Sequence, residues 1–224
     1  MKLILKRAQQ RARSDDSGMT LIEVIVAISL IGIVATAAIG LGITSEKGAS
    51  SQQRQELAVT VANEAMELVS AQSSATNPTT GASYLYQGRT EAKVEAAWAL
   101  NAGIDGLAAT YPGWDRAATS TSDPKVAISR DVTRSGTKYT VFSLIGSCYI
   151  ARVGGGNCWS ATGDATLTSN SRPPTTAPTG KIQINRVLVV VRWTAGSGCS
   201  TNGCTYVATS LVDAHSDLQW NTHG

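Results

Sequence analysis

The residues best placed to do chemistry are four cysteines. Cys148 and Cys158 bracket a glycine-rich run (YIARVGGGN), and Cys199 and Cys204 bracket STNG. As thiolates they could hold zinc. Ligand pairs in structural zinc sites stand roughly two to four residues apart, whereas nine residues separate Cys148 from Cys158. As half-cystines the four admit three connectivities. The pairs Cys148–Cys158 and Cys199–Cys204 close the shortest loops, and each would add roughly 2–3 kcal/mol in the chain-entropy account; that pairing is the expectation. Residues 153–157 (VGGGN) have the glycine content of a phosphate loop but neither its lysine nor its following helix. His215 and His223 stand near a polar C-terminus with no nucleophile or ligand partner around them, so they read as surface residues. Trp159 and Trp220 have the character of exposed, sticky aromatics, while Trp193 ends an apolar strand pattern and reads as packing. No catalytic constellation emerges. The expectation is a protein that is not an enzyme and uses no cofactor and no metal.

One further residue needs an explanation. Residues 19–43 are almost wholly apolar, yet Glu23 lies near their start with no lysine or arginine in the run. A carboxylate in lipid costs on the order of 2–3 kcal/mol unless it finds a partner. Before the run, Lys2, Lys6, Arg7, Arg11 and Arg13 oppose Asp15 and Asp16. That leader accounts for the whole net charge of +3, because the remaining 14 basic and 14 acidic side chains (19 − 5 and 16 − 2) cancel. A chain-wide electrostatic case for nucleic acid as a partner therefore fails. Basic residues before an apolar run keep the N-terminus in the cytoplasm and send the C-terminal remainder of the chain across the membrane. An exported region also suits disulfides.

Three readings of this segment differ in the role they give Glu23. A signal peptide cut after Ala35-Thr36-Ala37 would place the carboxylate inside an apolar core about twice the usual length. A plain anchor has the length, since 25 residues at ~1.5 Å each span the ~30 Å hydrocarbon layer, but gives Glu23 no task. A cut between Gly18 and Met19 gives it one. The new α-ammonium of Met19 then lies one helical turn from the Glu23 carboxylate, or meets that of a neighbouring copy, and either pairing neutralises both charges.

Residues 18–23 (GMTLIE), after a short basic leader, resemble the class III signal of type IV prepilins and type II secretion pseudopilins. The resemblance implies that a prepilin peptidase cuts after Gly18 and N-methylates Met19, which stands where that family usually has Phe. It implies that Glu23 guides docking of each subunit onto its predecessor in a filament. The implied partners are prepilin peptidase, other pilins in a homo- or hetero-filament, and a pilus or type II secretion assembly platform in the cytoplasmic membrane. The implied location is a single pass through that membrane, then an extracellular pilus or a periplasmic pseudopilus. Minor pilins of the family prime assembly, and some present adhesive or DNA-binding tips. The size, the unusual loops and the two bridges make a minor pilin the expected subtype, with a pseudopilin or a non-polymerising anchored binding protein as alternatives.

These residues must be positioned by elements that the pattern also suggests. After the apolar run, Leu57, Val61, Ala65 and Leu68 recur at steps of three or four, with Ala58, Ala62 and Val69 beside them. The spacing predicts one helix over 21–72, stopped by Pro78 and Gly81. A short helix is expected over 89–102, and Tyr111-Pro-Gly-Trp114 reads as a turn. Strands are expected over 126–134 and 138–151 around Ser135-Gly136, then over 182–194 and 204–213, with a proline-containing polar loop at 160–180. The expected fold is α+β and pilin-like, a long N-terminal helix packed against an antiparallel sheet of about four strands. Its expected parts are a cleaved leader (1–18), a transmembrane and filament-core half-helix (19–44) and an amphipathic half-helix (45–73). A variable connection (74–125), a sheet head (126–215) and a tail (216–224) complete it.

Overall fold

A computed structural model describes residues 20–73, 83–153, 158, 177–194, 199 and 203–212. Its elements in chain order are α1 (Leu21–Ser73), α2 (Glu91–Leu100) and a 3-10 turn (Leu107–Ala109). The strands β1 (Tyr111–Pro112), β2 (Ser129–Arg134), β3 (Thr137–Ala151), β4 (Lys181–Trp193) and β5 (Cys204–Val212) come after them. The fold is α+β, a long N-terminal helix with a five-stranded antiparallel sheet. The chain divides into two compact units, Met1–Ala49 and Ser50–Gly224.

In the second unit β3 and β4 form the spine of the sheet, paired from Tyr139↔Trp193 to Ala151↔Lys181. β5 extends it beyond β4, from Asn185↔Val212 to Trp193↔Cys204. The other edge of β3 is shared: β2 pairs with its first half and β1 with its second. The β2–β3 hairpin turns through Ser135 (φ 45°) and Gly136 (φ 74°), the pair of left-handed residues a tight hairpin of right-twisted strands requires. β1 comes close because Gly146 has no side chain; a β-carbon there would strike the Tyr111 carbonyl oxygen.

Side chains alternate along these strands and feed two cores. Val141, Ile145, Val187, Val189 and Val191 face Ala58, Val61, Ala62, Ala65 and Val69 of α1. The small alanines let helix and sheet approach closely, and the Tyr139 hydroxyl donates to the Arg54 carbonyl at 3.1 Å. Phe142, Leu144, Leu188 and Val190 point the opposite way, toward Val94, Ala97 and Trp98 of α2 and toward Leu107. The central strands are thus covered on both faces, as a near-continuous apolar run requires.

Three expectations change. Residues 91–109, expected within the variable connection, build a second apolar layer on the sheet face opposite α1. Tyr111-Pro112 is a short strand, not a turn, because Gly146 opens a place for it. Leu68 is exposed, and the buried stripe runs through Val69.

Candidate functional site

The first turn of α1 is held by Thr20, whose carbonyl accepts from Glu23 N at 3.0 Å and Val24 N at 3.3 Å. Glu23 is therefore in the first turn, where the positive end of the helix dipole favours a carboxylate. Gly18 and Met19 lie outside the described residues. Through the apolar half the large side chains are exposed, from 38 % at Val24 to 79 % at Leu21. Its few hydroxyls bond to the helix itself. Ser29 donates to Ile25 O (2.8 Å), Thr36 to Ile33 O (2.8 Å), and Thr44 to Leu41 O (2.9 Å). Back-bonded hydroxyls present methylene and methyl surface outward, which suits a hydrocarbon environment. Among the described residues, α1 is the one helix long and apolar enough to cross a membrane.

Residues 13–39 match the family model of the prokaryotic N-terminal methylation motif. The chain carries a class III, prepilin-type signal. The match covers Gly18, Met19 and Glu23, and it implies processing by prepilin peptidase and assembly with other pilin-type subunits. A segment of this type anchors a protein in a membrane with the remainder of the chain on the extracellular or periplasmic side. Comparison with curated proteins and with solved structures returned no match. The prepilin-type segment spans 27 of the 224 residues (39 − 13 + 1), so the remainder rests on its own geometry.

In the head, Cys148 is joined to Cys158 with Cα atoms 5.4 Å apart, and Cys199 to Cys204 at 4.8 Å. Both lie within the roughly 4.4–6.8 Å that disulfide geometry allows. Cys148 sits on β3 opposite Ile184, so its bridge ties the loop after β3 to the sheet. Cys204 opens β5 opposite Trp193, so the second bridge staples the β4–β5 connection. Trp193 packs in the α1-facing core, 5.9 Å from the Tyr139 ring centre. His215, His223, Trp159, Trp220 and residues 154–157 lie outside the described residues. Among the described residues no cluster of three histidines, cysteines or carboxylates could hold a metal ion.

Sequence reasoning missed a polar node at the start of the second layer. Arg89 is fully buried and donates to Val126 O (3.0 Å) and Ser143 O (2.7 Å). Removal from water lowers its pKa to about 10, against the attraction of the nearby Tyr86 phenol. Burial also pushes the Tyr86 phenol up, opposed by the Arg89 charge. The Tyr86 hydroxyl donates to Asn185 Oδ1 at 2.7 Å. Asp115 closes the node from outside, its carboxylate accepting from Gly88 N and Ala117 N, both at 2.9 Å. The available signal was a lone arginine between apolar Leu85 and the α2 pattern.

Proposed function

We propose that this protein is a structural subunit of a type IV pilus, of the minor-pilin kind, and not an enzyme. The observation that carries the reading is the methylation motif running directly into a single helix, with an apolar first half whose side chains stay exposed. Such a surface is stable in lipid before assembly and against other helices of the same kind afterwards. In this reading the peptidase cuts after Gly18 and methylates Met19, residues 19–44 polymerise, and Glu23 sets the register against a neighbour's N-terminus. The head then primes assembly or is presented for adhesion.

Mass spectrometry of filaments sheared from the cell surface tests membership and processing together. The expected result is this chain among the filament proteins, beginning at methylated Met19. A chain starting at Ala38 is an ordinary secreted protein, and one starting at Met1 and missing from filaments is a plain anchor. A chain processed at Met19 but confined to a periplasmic assembly is a pseudopilin.

A further inference from the structure

A cavity of about 170 Å³ opens at the end of the sheet where β1 lies beside β3. Its floor is the backbone at Gly113 and the nearly buried Ser147, and its walls are Tyr86 and the half-buried Trp114. Arg116 and Gln183, both exposed, stand at the rim. The Tyr86 ring is fixed at both ends. Its hydroxyl is bonded to Asn185, and its edge lies against Gly113, where any β-carbon would strike the ring. The Tyr86 part of the wall is therefore preformed. Asp115, next to Arg116 in the chain, is already engaged by two backbone N–H groups. Among the described residues that line the cavity, Arg116 carries the only formal charge.

We propose that this cavity is a binding subsite for one acidic pyranose residue, a sugar carrying a carboxylate. A pyranose ring has an apolar C–H face that an aromatic side chain can cover and an edge of hydroxyls that an amide and a serine hydroxyl can bond. Here Tyr86 and Trp114 supply the first, and Gln183 and Ser147 the second. A guanidinium fork matches a carboxylate in a bidentate pair, which a neutral sugar cannot offer. Aromatic and polar side chains thus converge on one hollow, as they do in small-molecule sites. A nucleic acid strand fits less well, because its phosphates call for a run of cations, and the chain beyond the leader is formally neutral. The subsite does not depend on whether the chain polymerises.

The test uses the full processed chain in detergent, with binding followed by saturation-transfer NMR. The probes are trigalacturonate, neutral maltotriose and trithymidylate. Trigalacturonate should bind saturably and maltotriose more weakly. Arg116→Gln, on an exposed side chain, should weaken trigalacturonate by roughly tenfold, as loss of a charge-assisted pair does, and leave maltotriose unchanged. Gln183→Ala should weaken both sugars. No saturable trigalacturonate binding, equal affinity for both sugars, an Arg116→Gln variant that binds as the parent does, or trithymidylate binding more tightly than trigalacturonate would each overturn the assignment.

Discussion

Arg89 shows how a single residue can organise a layer. Among the described residues it has no carboxylate partner, yet its two donors reach the carbonyls of Val126 and Ser143, one before β2 and one on β3. Arg89→Ala leaves two buried carbonyls without donors and opens a cavity, at about 1–3 kcal/mol for each unpaired group. A loss of about 3–5 kcal/mol in denaturant unfolding is expected. Arg89→Lys keeps the charge but not the fork, so it should fall between the parent and the alanine variant. A loss below about 1 kcal/mol for alanine would mean that the carbonyls find other partners. The pH dependence separates Arg89 from its neighbour. In the unfolded chain Tyr86 ionises near its ordinary value of about 10, while burial keeps it protonated in the fold well beyond that. The fold therefore loses stability through Tyr86 as pH rises past about 10. Arg89 acts in the opposite sense. Its folded value of about 10 lies below the ordinary 12.5, so the fold gives up that proton first and gains stability between those values. Tyr86→Phe removes only the loss. The variant should be less stable than the parent at neutral pH, for want of the bond to Asn185, and the gap should narrow as pH rises past about 10. A gap that stays constant would show that the phenol titrates alike in both states.

The second apolar layer belongs to the scale of elements. Trp98, Val94 and Leu107 cover one face of β3 and β4 as α1 covers the other. Trp98→Ala should cost about 3–5 kcal/mol, the usual range for emptying a large aromatic site, and it should do so with the helix content of α1 intact. Calorimetric or denaturant unfolding gives the size, and far-ultraviolet circular dichroism gives the helix. A cost below about 1 kcal/mol would mean that the layer is dispensable. This layer also marks where the sequence could and could not be read. α1 was legible because an unbroken apolar run leads into residues spaced at steps of three and four, and β3 and β4 because their strand pattern is long. The second face was legible in principle, in the unbroken apolar run 187–191 of β4, which only a sheet covered on both sides can bury. β1 was not legible. Two residues ending in proline carry a turn signature, and their pairing depends on Gly146, 34 positions away (146 − 112). Leu68 and Val69 differ by one step around a helix, and only the position of the sheet decides which is buried. At the candidate site, the prepilin-type segment could be recognised because a short motif holds Gly18, Met19 and Glu23 at fixed spacing. The cavity near Trp114 could not be, since Tyr86, Ser147 and Gln183 meet only through tertiary pairing.

At the scale of the whole molecule the two units differ in build, an apolar helix in the first and a disulfide-stapled sheet in the second, and the proposed reading gives Glu23 a role in assembly rather than in insertion. If its partner in the filament is the α-ammonium of a neighbouring Met19, then Glu23→Val removes one charge and strands the other. The segment becomes more apolar, so membrane insertion should proceed as before. The Gly18-Met19 junction is untouched, so processing should continue. The head should be unaffected, because residue 23 lies in Met1–Ala49 and the cores lie in Ser50–Gly224. Only the subunit-to-subunit contact is lost, and breaking a buried ion pair by deleting one partner costs about 3–5 kcal/mol. At ~1.4 kcal/mol per factor of ten, that is a drop of roughly a hundredfold or more in the docking equilibrium. The variant should therefore accumulate, cut and methylated, in the cytoplasmic membrane and be scarce in sheared filaments. Immunoblots of the two fractions, with intact-mass analysis of the membrane pool, distinguish the outcomes. An uncut variant would place Glu23 in peptidase recognition. A variant that enters filaments at the parental level would show that the Met19 ammonium is not its partner.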